Sequence, residues 1–126
     1  MKRVLISVII IVSIVFSSII MYRTINNELT VLTEKLDLCM EFTENNSFSR
    51  AKTKAEEITQ SWKKVSSKLK LIVSEDVCDE VNNELEAIIT NIDERDIIKA
   101  KQSIKNSKIM IKEIVENEKI SLSAIL

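Results

Sequence analysis

The hydrophobic pattern opens with Val4 to Met21, an unbroken run of 18 residues that are either apolar or serine. Lys2 and Arg3 precede it; Tyr22 and Arg23 follow. At 1.5 Å rise per residue such a helix spans ~27 Å, close to the ~30 Å hydrocarbon core of a bilayer. A core helix of a small soluble domain would show a polar stripe, and this run has none. A cleaved signal peptide has an apolar region of ~7–15 residues and then a small-x-small site. The best such site here, Val15-Phe16-Ser17, lies inside the run, and no cysteine follows closely enough for a lipoprotein signal. The pattern therefore predicts an uncleaved signal-anchor over residues 1–22, with residues 4–21 in the lipid bilayer, and an extracytoplasmic domain over residues 23–126. Lys2 and Arg3 on one side, against Arg23, Glu28 and Glu34 on the other, orient the amino terminus toward the cytoplasm by the positive-inside rule.

Beyond the run the apolar positions follow a helical period. Ile25, Leu29, Leu32, Leu36 and Cys39 are spaced 4, 3, 4, 3, with no break after the apolar run, so the first helix is expected to leave the bilayer uninterrupted. Thr43-Glu44-Asn45-Asn46-Ser47 reads as a loop ending in an N-cap at Asn46 or Ser47. Phe48, Ala51, Ala55, Ile58, Trp62, Val65, Leu69 and Ile72 mark a second helix, at spacings 3, 4, 3, 4, 3, 4, 3. Ser74-Glu75-Asp76 forms the next break. Val77, Val81, Leu85, Ile88 and Ile92 mark a third helix, and Asp93-Glu94-Arg95-Asp96 ends it. Ile97, Ala100, Ile104, Ser107, Ile111 and Ile114 mark the fourth, which is expected to fray near Asn117 into Ile120–Leu126.

A shift of 49 residues superposes the pattern on itself: Leu32, Leu36 and Cys39 fall on Val81, Leu85 and Ile88, and Phe48, Ala51, Ala55, Trp62 and Val65 on Ile97, Ala100, Ile104, Ile111 and Ile114. The match is one of pattern and not of identity. Any two helical hairpins of similar length align in this way, so repeat and coincidence both stand at this point. Either way the prediction is an all-α fold: an N-terminal transmembrane helix continuing into an up-down antiparallel bundle of about four helices. The chain contains no glycine and no proline, which counts against a turn-rich β structure.

Charge points to the same topology. Residues 23–47 carry two basic and five acidic groups, 48–73 seven and two, 74–96 one and nine, and 97–126 six and three. Successive segments thus alternate in sign, and each antiparallel neighbour meets its opposite. Exposed pairs contribute only ~0–1 kcal/mol each, so the alternation selects pairing and register more than it stabilises.

Candidate chemistry is sparse. With no histidine there is no His-dependent triad, haem ligation or His-metal site, and with no glycine there is no phosphate-cradling loop. The acidic cluster Asp76, Asp79, Glu80, Glu84 and Glu86 lacks the spacing and turn glycine of a calcium loop; carboxylates at a helix start favour its dipole. Lys52, Lys54, Lys63, Lys64, Lys68 and Lys70 read as a solvated face opposite the acidic helices, with no nucleic acid to meet outside the cell. Trp62, between Ile58 and Val65 on the apolar stripe, is expected in the core. Cys39 and Cys78 are placed about ten residues, or ~15 Å, apart in level, too far for an intramolecular disulfide, and so read as two buried thiols. No catalytic, cofactor-binding or metal residues are assigned, and no cofactor is expected.

The layout resembles, from end to end, the uncharacterised bacterial family called domain of unknown function 4363. The resemblance is carried by the basic start and apolar anchor, Phe48-Ser49-Arg50-Ala51, Trp62 two to three turns on, the acidic opening Glu75-Asp76-Val77-Cys78-Asp79-Glu80, and the terminus Ser121-Leu122-Ser123-Ala124-Ile125-Leu126. Members of that family often carry a histidine beside the acidic stretch; this chain has none. The resemblance implies location and shape, and, since similar proteins accompany multi-span membrane proteins, a membrane-protein partner. The expected function is a non-enzymatic binding or scaffolding accessory, with a sensor-like ligand-binding module as the alternative.

Overall fold

A computed structural model describes the backbone of residues 1–71 and 73–125, and side chains up to Asn117. It contains four helices in chain order: α1 Lys2–Glu44, α2 Phe48–Leu69, α3 Glu75–Asp93 and α4 Ile97–Ile125. α1 packs against α2 and α4, and α3 packs against the same two, so the four form a closed up-down-up-down ring. The expected stripes meet at its centre. Ile25, Leu29, Leu32, Leu36 and Cys39 of α1 are buried together with Ala51, Ala55, Ile58, Trp62, Val65 and Leu69 of α2. Val81, Leu85, Ile88 and Ile92 of α3, and Ala100, Ile104, Ile111 and Ile114 of α4, complete the cluster. Each fully buried Leu or Ile contributes ~1.5–3 kcal/mol relative to exposure, which is why the 3–4 spacing alone suffices to specify the four faces.

Four differences from the sequence reading have physical reasons. α1 runs on to Glu44, because Thr43 is buried and its hydroxyl donates to the Cys39 carbonyl oxygen at 2.8 Å, extending the stripe by one more step. α3's buried stripe begins at Cys78, not Val77, which is only half-buried; Cys78, Val81, Leu85, Ile88 and Ile92 restore the 3, 4, 3, 4 spacing. Phe48 and Ile97, at the first positions of their helices, are half-buried, because the bundle ends there. The backbone of α4 stays helical through Ile125 where fraying was expected from Asn117. The expected apolar contacts of Ile72, Leu122, Ile125 and Leu126 lie outside the described residues.

The helix ends show how a chain without glycine turns. Ser47 donates its N–H to the Phe42 carbonyl at 2.8 Å and Asn46 to that of Thr43 at 3.2 Å. At the other distal corner Asp96 donates to Asn91 at 2.9 Å and Arg95 to Ile92 at 3.0 Å. Both are Schellman closures, and in both a residue other than glycine holds the left-handed position: Asn46 at φ 60° and Arg95 at φ 58°. Ser74 caps α3, its hydroxyl accepting from the Val77 N–H at 3.4 Å, and Asp96 caps α4 by accepting from Lys99 N–H at 3.1 Å.

Ion pairs follow the alternating charge. Glu28 pairs with Lys68, Asp37 with Lys108, Glu44 with Lys101, and Asp93 with Lys52, each joining an acidic helix to a basic one. One bridge inverts the rule: Lys35 of α1 meets Glu57 of α2 at 2.9 Å.

Candidate functional site

Among the described residues the first 18 of the chain are all exposed, and Ile19 is half-buried. Residues 4–18 and Ile20 are exposed, although Val4–Met21 is almost wholly apolar. α1 is the one described helix long and apolar enough to cross a membrane. The same helix then becomes a wall of the bundle: Met21 packs on the edge of the core and Ile25 is inside it. Nothing flexible separates the exposed apolar segment from the packed domain.

A groove runs between α1 and α2, with a volume of about 280 Å³. Val31, Leu32 and Val65 give it an apolar floor, while Asn27, Glu28, Lys35, Ser61 and Lys64 form its rim. One Glu28 carboxylate oxygen accepts from Lys68 at 3.5 Å; the other is enclosed and has no partner. The sequence reading missed this groove, because it lies between two helices and is lined in part by Val31, a position outside the core stripe.

Trp62 does not line the groove. It is 1% exposed, and its indole Nε1 donates to the Cys78 carbonyl oxygen at 3.3 Å. This bond ties α2 to the first turn of α3. Cys39 is also in the core, its thiol donating to the Ala51 carbonyl oxygen at 3.5 Å. The two cysteines thus sit against Ala51 and Trp62, 11 residues apart along α2, or ~16 Å in level. Both are free thiols. Burial pushes the Cys39 thiol up from 9.0 to about 11, and raises that of Cys78 as well, so neither is a ready nucleophile.

At the end away from the apolar segment, the guanidinium of Arg95 lies 4.3 Å from the centroid of the Phe48 ring. This cation–π contact joins the two distal turns. The lysines of α2 and its C-cap are mostly engaged: Lys52 with Asp93, Lys54 with Glu57, Lys68 with Glu28 and the cap Lys70 with Glu75, while Lys63 and Lys64 face solvent. Asp93 accepts a hydrogen bond from Lys52 and raises its pKa; Lys35 and Lys54 hold the Glu57 carboxyl below its ordinary value. Of the acidic cluster, Asp76, Asp79, Glu80 and Glu86 are exposed and Glu84 is half-buried. Among the described residues no group of three His, Cys, Asp or Glu side chains is placed to hold a metal ion.

The sequence family described as "Domain of unknown function (DUF4363)" matches residues 19–125, and the chain belongs to it. The match takes in the whole bundle and the last residues of the apolar run. No curated protein and no solved structure matches the chain.

Proposed function

We propose that this chain is a single-pass membrane protein whose helical bundle is a non-enzymatic binding or scaffolding accessory to another membrane protein. The observation that carries this reading is the continuity of α1. One helix of 43 residues, ~65 Å long, holds both an unpartnered apolar segment and a core stripe of the bundle. A partner helix packed on the segment in lipid would set the position of the whole domain outside, with no flexible joint to lose the register. Lys2 and Arg3 mark the cytoplasmic side, the bundle the extracytoplasmic side. The chemistry of the chain supports a binding role: it has no histidine, and its two thiols are buried with raised pKa values.

A second reading, a ligand-binding sensor module, draws on the groove between α1 and α2. Its apolar floor, polar rim and half-satisfied Glu28 suit a small amphipathic molecule with a cationic group. With a single apolar segment, such a sensor would signal through a partner.

Affinity capture of the full chain from gently solubilised membranes of the producing cell tests both. A stoichiometric membrane protein in the eluate supports the accessory reading. A small molecule that co-elutes and is lost on Val31→Glu supports the sensor. Elution of the chain alone, with neither, overturns both.

A further inference from the structure

The three turns of the bundle differ in character. The two at the far end, Asn45-Asn46-Ser47 and Glu94-Arg95-Asp96, are wholly polar, although Ile98, in the first turn of α4 beside them, is 81% exposed. The third, between α2 and α3, reads Lys70-Leu71-Ile72-Val73-Ser74, and its Leu71 is 76% exposed while Val73 packs on the core. An isolated exposed leucine needs no explanation. Its place is informative, because this turn lies at the end of the bundle from which the apolar segment of α1 emerges. Leu69, the last residue of α2, shares a small cleft with Tyr22 and Ile25 of α1, and Lys68 reaches Glu28.

Ile25 stands four residues past Met21, ~6 Å along the helix. The polar headgroup layer of one leaflet is about as thick, ~5–7 Å, from the difference between total and hydrocarbon thickness. A turn that starts just beyond Leu69 therefore reaches into that layer once residues 4–21 span the hydrocarbon. Tyr22 stands there too, as aromatic residues at a membrane boundary do.

We propose that the α2–α3 turn is a second membrane contact, with Leu71 inserted at the boundary between headgroups and acyl chains. The partner is the lipid surface itself. Charge is not the driver: Glu75, Asp76 and Asp79 stand at the same end as Lys64, Lys68 and Lys70, so the rim is mixed and the apolar side chain makes the contact. With α1 as one point of attachment and Leu71 as another, the bundle is held at a fixed tilt over the bilayer. The proposal rests on the reading of residues 4–21 as membrane-spanning.

The test uses the full chain in vesicles of phosphatidylcholine and phosphatidylglycerol, with nitrobenzoxadiazole attached at Leu71→Cys, Val15→Cys or Asn45→Cys in turn. Native labelling is selective, because Cys39 and Cys78 are buried. Doxyl-labelled lipid is expected to quench most of the emission at positions 71 and 15 and to leave that at 45 unchanged. Quenching at 15 with none at 71 overturns the proposal and leaves the membrane-spanning reading intact. Quenching at neither overturns both. Equal quenching at 45 also overturns the proposal, because the contact is then not particular to this turn.

Discussion

Asn46 and Arg95 hold the same left-handed backbone, φ 60° and φ 58°, at corresponding corners of the two helical hairpins. They are 49 residues apart, the offset at which the apolar pattern of the chain repeats. Each is followed by the N-cap region of the next helix, and each closes its helix with the same pair of backbone hydrogen bonds. The repeat in pattern is thus also a repeat in turn geometry, and the Arg95 guanidinium over Phe48 ties one copy to the other.

A left-handed residue with a Cβ costs ~1–2 kcal/mol unless its side chain is tolerant, as asparagine is. Asn46→Val is expected to destabilise the bundle by about that amount, whereas Asn46→Gly changes it little, because glycine adopts the conformation freely. Chemical denaturation of the full chain in detergent, followed by circular dichroism, separates the two. Equal midpoints for both variants would mean that the turn does not hold its backbone.

Trp62 fills the centre of the core and bonds the Cys78 carbonyl. Trp62→Ala is expected to cost ~3–5 kcal/mol, a large share of the stability of so small a domain. Trp62→Phe keeps most of the volume and gives up the indole N–H, leaving the carbonyl unpaired, and is expected to lose less. Thermal melts within a degree or two of the parent for Trp62→Ala would remove Trp62 from the core.

The Lys108–Asp37 pair spans α4 and α1 at 2.6 Å on a partly exposed surface. Lys108→Glu is expected to lower stability by less than ~1 kcal/mol, and adding Asp37→Lys to restore it, since exposed pairs are worth little but select register. A double-mutant cycle with no coupling would show that the alternating charges do not choose neighbours.

Cys39 is expected to resist alkylation near neutral pH in the folded chain and to react at once in denaturant. Its folded pKa, about 11, lies above the ordinary 9.0, so the folded state favours the protonated thiol. The stability this thiol contributes is whole below about pH 9 and is lost as pH rises toward about 11. Mass spectrometry after a brief alkylator pulse across that range gives the profile; rapid native labelling of Cys39 at neutral pH would contradict its burial.

Cells treated with external protease are expected to lose an epitope fused after Leu126 while still intact. Survival of that epitope until lysis would reverse the proposed orientation.

Several features were legible in the sequence because they depend on local period alone. The four stripes, from Ile25 to Ile114, name the buried faces, since a 3–4 spacing can only put those side chains on one side of a helix. The apolar run Val4–Met21 and the sign alternation were equally readable, because composition carries them. Packing between helices decided the rest. Which of Val77 and Cys78 heads the α3 stripe depends on the crossing of α2 beneath it, where Trp62 needs a carbonyl for its N–H. The left-handed Asn46 and Arg95 were hidden because the usual glycine signal is absent. The groove beside Val31 and the exposure of Leu71 follow from the separation of helices and from which end of the bundle a turn occupies. Those are distances between segments far apart in the chain, and no local pattern encodes them.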